Sequence, residues 1–190
     1  MVTVLLLALT VRNALSTGDR RLAEFRSRDR LWSTPNLGLL TVAALLPVSW
    51  EIIYVDQTFE GVPERTFTYV FLSPSTAQAP EAYRIADRFR CRGSRVLMGG
   101  PHVTVCPDEA ASHADVIFVG ESEELLPVFL REEVQGRARK IYRACLHPSL
   151  ELSPVPRYDL AVKYPYKSVP VQLSRGCPHQ CRFCLSSKIY

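Results

Sequence analysis

Three cysteines in the last part of the sequence have the type and spacing of ligands for a soft metal centre. Cys177, Cys181 and Cys184 follow a C-x3-C-x2-C pattern within one short stretch. Thiolates this close in sequence converge on a single point, and they are the usual protein ligands of iron–sulfur clusters. Three thiolates hold three irons of a 4Fe-4S cluster and leave the fourth iron open to a substrate or cofactor. The spacing therefore predicts a cluster that takes part in chemistry.

Zinc and unliganded thiols are the alternatives to a cluster at these positions. A tetrahedral zinc site needs a fourth ligand, and zinc knuckles usually repeat C-x2-C with a distant second pair. His179 lies between the cysteines, where its ring could hardly reach the same ion. The pattern therefore favours the cluster over both alternatives. The other cysteines, Cys91, Cys106 and Cys145, stand in or beside apolar or helical stretches and are predicted to be ordinary buried thiols.

The composition predicts a globular protein without a strongly charged surface. Hydrophobic residues make up 47% of the 190 residues, which is enough for one core. The net charge of +4 is too small to predict nucleic-acid binding. The apolar run at residues 1–11 lacks the basic residues of an export signal and is shorter than a membrane span. We therefore predict a soluble, cytoplasmic protein that binds neither nucleic acid nor membrane.

Strands and helices alternate before the cysteines. The continuous apolar run at residues 1–11 is typical of a strand buried on both faces of a parallel sheet. Further strands are predicted at residues 51–56, 66–72, 95–98, 115–119 and 140–145. Helices are predicted at residues 37–46, 80–91, 107–113 and from Ser122 onward, with Thr34-Pro35 capping the first and a polar connection at residues 12–33. The alternation predicts an α/β fold with a doubly wound parallel sheet.

The turns that follow the strands are candidate ligand-binding positions. Ligands of doubly wound sheets bind beyond the carboxyl ends of the strands, near the point where the strand order reverses. Two of these turns contain glycine, namely Gly99-Gly100-Pro101-His102 and Gly120-Glu121-Ser122. Glycine lets the backbone approach a bulky ligand closely and present amide hydrogens to a phosphate. Any doubly wound domain has such turns for reasons of geometry, so by themselves they indicate candidate positions and not a particular ligand.

The cysteine motif, with the aromatic Phe183 before its last cysteine, resembles the signature of the radical S-adenosylmethionine (SAM) enzymes. The order of the preceding segments resembles the Rossmann-like cobalamin-binding domain found before the barrel in one large class of these enzymes. Residues 34–40, the Gly99 to His102 turn and residues 114–123 carry this second resemblance, which covers most of residues 31–184.

The resemblance implies three cofactors and their contacts. The cysteines would hold a 4Fe-4S cluster whose open iron binds SAM. Cobalamin would contact the two glycine turns with its corrin ring and nucleotide tail, and Asp115 would act mainly in folding. The cofactor-binding residues implied in this way are Phe183, Gly99, Gly100, Pro101, His102, Gly120 and Glu121.

The chain lacks the D-x-H-x-x-G motif, whose histidine ligates cobalt in other cobalamin proteins. Residues 56–61 mimic it with Thr58 in the histidine's place, but they follow the second strand and not the first. The radical SAM class often lacks that histidine, so we expect cobalt without a protein imidazole ligand. His102 is expected to be a hydrogen-bonding residue of its turn and not a cobalt ligand.

The resemblance divides the chain into a cobalamin-binding-like domain at residues 1–145, a proline-rich linker at 146–167, and the first strand and cluster loop of a radical SAM barrel at 168–190. We place the strand at residues 168–173. The rest of the barrel lies outside this sequence, so we expect a fragment or a second chain that completes it, and we do not expect this chain to be active by itself.

The expected function is radical-based modification of an unknown substrate, with methyl transfer as one form of it. The resemblance also implies an electron donor such as a flavodoxin or ferredoxin. Two functions from other classes stay open: a cobalamin- or nucleotide-binding module without catalysis, and a small zinc-binding interaction protein.

Overall fold

The computed structural model describes residues 1–10, 33–144, 148–179, 181–184 and 186–189. Its strands are β1 Thr3–Ala8, β2 Glu51–Asp56, β3 Tyr69–Leu72, β4 Arg95–Met98, β5 Val116–Val119 and β6 Ile141–Arg143. They form one sheet in the order β2-β1-β3-β4-β5-β6, and every pairing is parallel. The predicted doubly wound α/β fold is confirmed. The polar connection predicted before Ser33 and the thiol of Cys145 lie outside the described residues.

Six α-helices and three short 3-10 helices belong to the described residues. The α-helices are α1 Leu37–Leu45, α2 Ala79–Cys91, α3 Gly100–Val105, α4 Pro107–His113, α5 Ser122–Val134 and α6 Ser186–Ile189. The 3-10 helices are Thr76–Gln78, Leu150–Leu152 and Tyr158–Leu160. Within the described part of the chain, no helix has the length and apolar character needed to cross a bilayer.

The sheet is covered on both faces, which explains the unbroken apolar sequence of β1. Leu5 and Leu7 pack with α2, α3 and α4 on one face. Leu6 and its neighbours pack with α1 and α5 on the other face, where Phe129 is fully buried. Successive side chains of a strand point to opposite faces, so a strand between two helical layers needs apolar residues at every position.

Several element boundaries differ from the predicted ones for local reasons. The cap of α1 is Asn36 and not Thr34, because the Asn36 side-chain oxygen accepts a hydrogen bond from the Leu39 amide at 3.0 Å. β3 begins at Tyr69 and not at residue 66, because its pairing with β1 begins where Val4 meets Tyr69. Pro127 lies inside α5 with its ring exposed.

The proline-rich residues 148–167 are anchored to the sheet and its helices by aromatic side chains. Ala161 and Tyr164 are buried in the core on the face with α1 and α5. The Tyr164 hydroxyl accepts a hydrogen bond from the Asp56 amide at 3.0 Å, and the Tyr166 hydroxyl donates to the Asp56 carboxylate. The predicted linker across a surface is therefore a segment held by buried contacts at the end of β2.

The strand predicted at residues 168–173 is absent from the structure, so this prediction is wrong. Val169, Val171 and Leu173 alternate as in a strand, but they are 56%, 68% and 87% exposed. The edges of the sheet are β2 and β6, and neither pairs with this segment. An isolated segment does not form a strand because its backbone donors and acceptors need a neighbouring strand.

Glu60 gives the docking of residues 148–167 a pH dependence. Its carboxylate accepts hydrogen bonds from the Tyr164 hydroxyl and, at 2.9 Å, from Lys163 Nζ. Partial burial raises the pKa of Glu60, but these two hydrogen bonds outweigh it and lower the pKa below the ordinary value of 4.5. A depressed carboxyl pKa adds stability above the unfolded-state pKa, and this stability is lost as the pH falls through the folded-state pKa.

We therefore expect the unfolding free energy of the protein to decrease as the pH falls below about 4.5, and to decrease less in Glu60→Gln. Urea denaturation at neutral and acidic pH measures the difference. Glu64→Gln, at an exposed position nearby, serves as the control and should keep the wild-type pH dependence. The same acid dependence in Glu60→Gln and wild type would contradict this account.

Candidate cofactor-binding site

A cavity of about 790 Å³ opens at the carboxyl end of the sheet. Its walls are the amino terminus of α1, the ends of β3, β4 and β5 with the turns that follow them, and residues 170–175. The strand order reverses at β1, which lies between β2 and β3. Doubly wound sheets bind ligands at this position, and the volume is in the range of about 300–1,000 Å³ typical of small-molecule sites.

The amino terminus of α1 supplies one wall of the cavity. Thr34, Pro35, Asn36 and Gly38 all line it. The Asn36 amide donates a hydrogen bond to the Tyr54 hydroxyl at 3.0 Å, while its side chain caps α1. The start of the helix is thus fixed by a hydrogen bond to β2, and its residues line the cavity. The sequence resemblance included these residues, but they were not among the predicted cofactor contacts.

The turn after β4 supplies a second wall through Gly99, Gly100 and Pro101. Gly100 has a φ of +86°, a conformation that residues with a side chain rarely adopt. A Cβ atom on Gly100 would meet the Ser73 hydroxyl oxygen and lie 3.4 Å from the Ser73 Cα. The backbones of the turns after β3 and β4 are therefore in close contact, and only glycine fits there.

The turn after β5 supplies a third wall through Gly120, Glu121 and Ser122. Gly120 has a φ of +100°, and a Cβ atom there would lie 2.9 Å from the Cβ of Ala144. The Gly120 amide donates a hydrogen bond to Thr104 Oγ1 at 3.1 Å, which joins this turn to α3. The two predicted glycine turns are thus brought together on one cavity.

His102 does not line the cavity, although it belongs to the predicted turn. Residues from Gly100 onward form α3 and not a turn, and this places His102 in the interior with 3% of its surface exposed. Its Nε2 lies 2.8 Å from the Tyr83 hydroxyl and its Nδ1 3.3 Å from Thr76 Oγ1. None of the described residues that line the cavity is a histidine.

Asp115 lies at the amino end of β5, away from the cavity. Its carboxylate accepts a hydrogen bond from the Val96 amide at 2.8 Å and another from Arg90 Nε at 3.1 Å. These contacts join β4, β5 and α2. They fit the folding role that the resemblance implies for Asp115.

Residues 170–175, here called the strap, close one side of the cavity, and every one of them lines it. The Tyr158 hydroxyl donates a hydrogen bond to the Pro170 carbonyl at 2.6 Å. At the other end Arg175 pairs with Glu123 in α5 and donates to the Pro148 carbonyl at 2.9 Å. The side chains of Arg175 and Glu123 are only 7% and 3% exposed. The strap is therefore fixed at both ends.

The three cysteines of the motif follow the strap directly and carry free thiols. Cys181 is exposed, while Cys177 and Cys184 are half-buried, and the Cys184 amide donates to the Cys181 carbonyl at 3.1 Å. Hydrogen bonds from the hydroxyl and the amide of Ser186 lower the pKa of the Cys184 thiol. A lower pKa favours the thiolate, which is the form that ligates metals.

The other predicted site residues and thiols differ in their surroundings. Phe183 is 93% exposed and does not line the cavity. Cys91 is exposed and Cys106 is half-buried, so the prediction of ordinary buried thiols is wrong for Cys91. Cys91 is the last residue of α2, and the end of an amphipathic helix can leave the core even where the pattern continues.

The parallel sheet and the glycine-walled cavity at the reversal point define a Rossmann-like ligand-binding domain. Residues 32–130 match the family described as the B12 binding domain, and the chain belongs to this family.

Three curated relatives are named as methyltransferases or methylases. An uncharacterised methyltransferase of Synechocystis sp. is 38% identical over 154 residues, which is 79% of this chain and 29% of that protein. The bacteriochlorophyllide d C-8(2)-methyltransferase of Chlorobaculum tepidum is 35% identical over 79% of this chain and 35% of its own length. The hopanoid C-2 methylase of Rhodopseudomonas palustris is 30% identical over 79% of this chain and 30% of its own length. The chain thus matches about a third of the length of these relatives.

The residues around the cavity fit a large ligand such as cobalamin. A side chain at position 100 would collide with Ser73 and one at position 120 with Ala144, so the cavity walls at both positions are glycine backbone. Such walls can approach a broad macrocycle and its nucleotide tail closely and offer amide hydrogens to a phosphate. The three free thiols on one loop are likewise a suitable donor set for an iron–sulfur cluster.

Proposed function

We propose that the chain binds cobalamin in the cavity and a 4Fe-4S cluster on Cys177, Cys181 and Cys184, with SAM bound at the cluster. Its function is then radical-based modification, and specifically methylation, of a substrate supplied from outside this chain. The observation that supports the proposal is the strap, which lines the cavity and leads within two residues to Cys177. The relatives named as methyltransferases support methyl transfer as the reaction.

In this proposal the turns after β4 and β5 hold cobalamin through Gly99, Gly100, Pro101, Gly120 and Glu121, together with the start of α1. The described residues that line the cavity include no histidine, so they would hold cobalamin through backbone groups and other side chains. When bound, cobalamin would supply a transferable methyl group, and the cluster would supply an electron to SAM. The chain's own residues position both cofactors, and the strap restricts the access of water to the cavity.

We also propose the three-part organisation with boundaries at residues 145 and 167, the middle part being docked on the first through Tyr164 and Tyr166. The remaining contacts to SAM and substrate come from a barrel outside residues 1–190, in the same polypeptide or in a second chain. Phe183, which is 93% exposed here, packs beside SAM once that barrel is present. The electron donor is a flavodoxin or ferredoxin, in the cytoplasm.

Blocking the cavity with a side chain tests the cobalamin part. Gly38 lines the cavity and has an ordinary φ, and a Cβ there would lie 3.6 Å from Asn36 Oδ1, an ordinary contact. Gly38→Phe should fill the cavity without straining the backbone and weaken hydroxocobalamin binding at least tenfold in equilibrium dialysis. Gly61→Phe, at an exposed glycine with open space around it, should bind as wild type. Equal binding by both variants would place cobalamin elsewhere.

Anaerobic reconstitution with iron and sulfide tests the cluster part. We expect a 4Fe-4S signal in the electron paramagnetic resonance spectrum of the reduced protein, and we expect it to disappear in Cys181→Ala. A change of the signal on addition of SAM supports the radical SAM function for this chain. Uptake of zinc with no cluster would overturn the proposal in favour of a zinc-binding interaction protein. Cobalamin binding without any cluster would indicate a cobalamin-binding module without catalysis.

A further inference from the structure

A second group of possible metal ligands lies outside the cavity, around the junction of α3 and α4. A ring nitrogen of His102, Cys106 Sγ and a carboxylate oxygen of Glu109 all lie within 4.8 Å of one another. None of the three residues lines the cavity. They also lie far in sequence from the cluster loop, so neither part of the proposed function uses them.

We propose that His102, Cys106 and Glu109 bind one zinc ion. An imidazole nitrogen, a thiolate sulfur and a carboxylate oxygen are the three ligand types that zinc accepts in proteins. Magnesium and calcium prefer oxygen ligands alone, so this mixed set disfavours them. A water molecule completes the four ligands of a tetrahedral site.

The local chain geometry explains why the three side chains meet. His102 lies in α3, Cys106 is the residue between α3 and α4, and Glu109 lies in the first turn of α4. The spacing of four and then three residues places successive side chains on one side of a helical path. The Cys106 amide donates to the His102 carbonyl at 2.8 Å, and this bond between residues four apart continues the helical hydrogen-bond pattern across the junction.

The histidine is already oriented for metal binding. Its side chain is 4% exposed, and its Nε2 lies 3.9 Å from Glu109 Oε1. The Thr76 hydroxyl, 3.3 Å from Nδ1, can accept a hydrogen bond from a protonated Nδ1, and this tautomer leaves the Nε2 lone pair for the ion. Zinc binding then replaces the hydrogen bond between Nε2 and the Tyr83 hydroxyl, and the Cys106 proton is released to solvent.

Cobalt(II) as a spectroscopic probe for zinc tests this site in the full chain. Cys177, Cys181 and Cys184 are first replaced by Ser so that the cluster loop cannot bind the probe. We expect one Co²⁺ per chain, with thiolate-to-cobalt charge-transfer absorption that is lost on addition of Zn²⁺. Cys106→Ser in this background should abolish that absorption and weaken binding at least tenfold, because even mutating a residue that only orients a metal ligand costs about 10–100-fold in affinity. Cys91→Ser, at an exposed cysteine in α2, is the matched control and should change nothing.

A second variant separates loss of the metal from loss of the fold. Glu109 is 58% exposed at its side chain, so Glu109→Gln should leave the metal-free melting temperature unchanged while weakening Co²⁺ and Zn²⁺ binding at least tenfold. The proposal is wrong if the background chain binds no Co²⁺, or if Cys106→Ser and Cys91→Ser bind it equally. These results are independent of the cluster, because its cysteines are absent from every variant tested, and of cobalamin, because none of the three proposed ligands lines the cavity.

Discussion

Gly120→Ala is expected to lower the free energy of unfolding by about 2–5 kcal/mol and to weaken cobalamin binding. The φ of +100° at Gly120 costs a residue with a Cβ about 1–2 kcal/mol. The added methyl group would also lie 2.9 Å from the Ala144 Cβ, and such overpacking costs typically about 1–3 kcal/mol. Relief of this contact must move the turn after β5, which is a wall of the cavity. Urea denaturation and hydroxocobalamin titration measure the two effects.

Substitutions at two other glycines separate the backbone cost from the cost of the contact with Ala144. Gly93 has a φ of +85° but open space around its Cβ position, so Gly93→Ala should show the backbone cost alone. Gly99 has an extended backbone, and a Cβ there would lie 3.7 Å from the Phe118 Cβ, so Gly99→Ala should be nearly neutral in stability. A Gly120→Ala protein no less stable than Gly93→Ala would show that the contact with Ala144 is relieved without cost.

Glu123→Ala is expected to release the strap from the domain. The variant leaves the Arg175 guanidinium, 7% exposed in the wild type, without its main carboxylate partner. Removing one partner of a buried ion pair costs about 3–5 kcal/mol. The strap can open into water without unfolding the sheet. We therefore expect the lost interaction to shift the equilibrium from the closed strap toward the open one. Tryptic cleavage after Arg175 should become faster by about a hundredfold or more, since every 1.4 kcal/mol corresponds to about a tenfold change in an equilibrium.

Glu124→Ala is the matched control for this prediction. Glu124 is the next residue in the first turn of α5, but its side chain is exposed. It should keep the wild-type rate of cleavage after Arg175, as followed by mass spectrometry. Cleavage of Glu123→Ala and Glu124→Ala at the same rate would mean that Tyr158 and the packing of the strap suffice to hold it.

The sheet could be predicted from the sequence because each strand has its own local signal. The apolar run at β1, and β-branched and aromatic residues at β2 and β3, indicated buried strands without any knowledge of their neighbours. The same reasoning located the glycine turns on the cavity, since strand ends of a parallel sheet meet at one edge. Alternation at residues 168–173 gave a false signal, because pairing needs a partner that local sequence does not reveal.

The contacts that complete the site could not be predicted, because they join residues far apart in the chain. The pair between Arg175 and Glu123 spans 52 residues, and no sequence pattern connects them. The orientation of His102 depends on how many residues after Gly99 are helical, which decides whether its ring faces the cavity or Tyr83. Local propensity does not fix this, because tertiary packing overrides it in short helices.

The strap also limits the distance between the two proposed cofactor sites, the cavity and the cluster loop. Arg175 is fixed to the wall of the cavity, and Cys177 is two residues further along the chain. Two residues of fully extended chain span at most about 7 Å. The first cluster ligand is therefore tethered to the edge of the cavity, and its encounter with whatever fills the cavity is intramolecular. The frequency of that encounter depends on the reach of the chain and not on the concentration of protein.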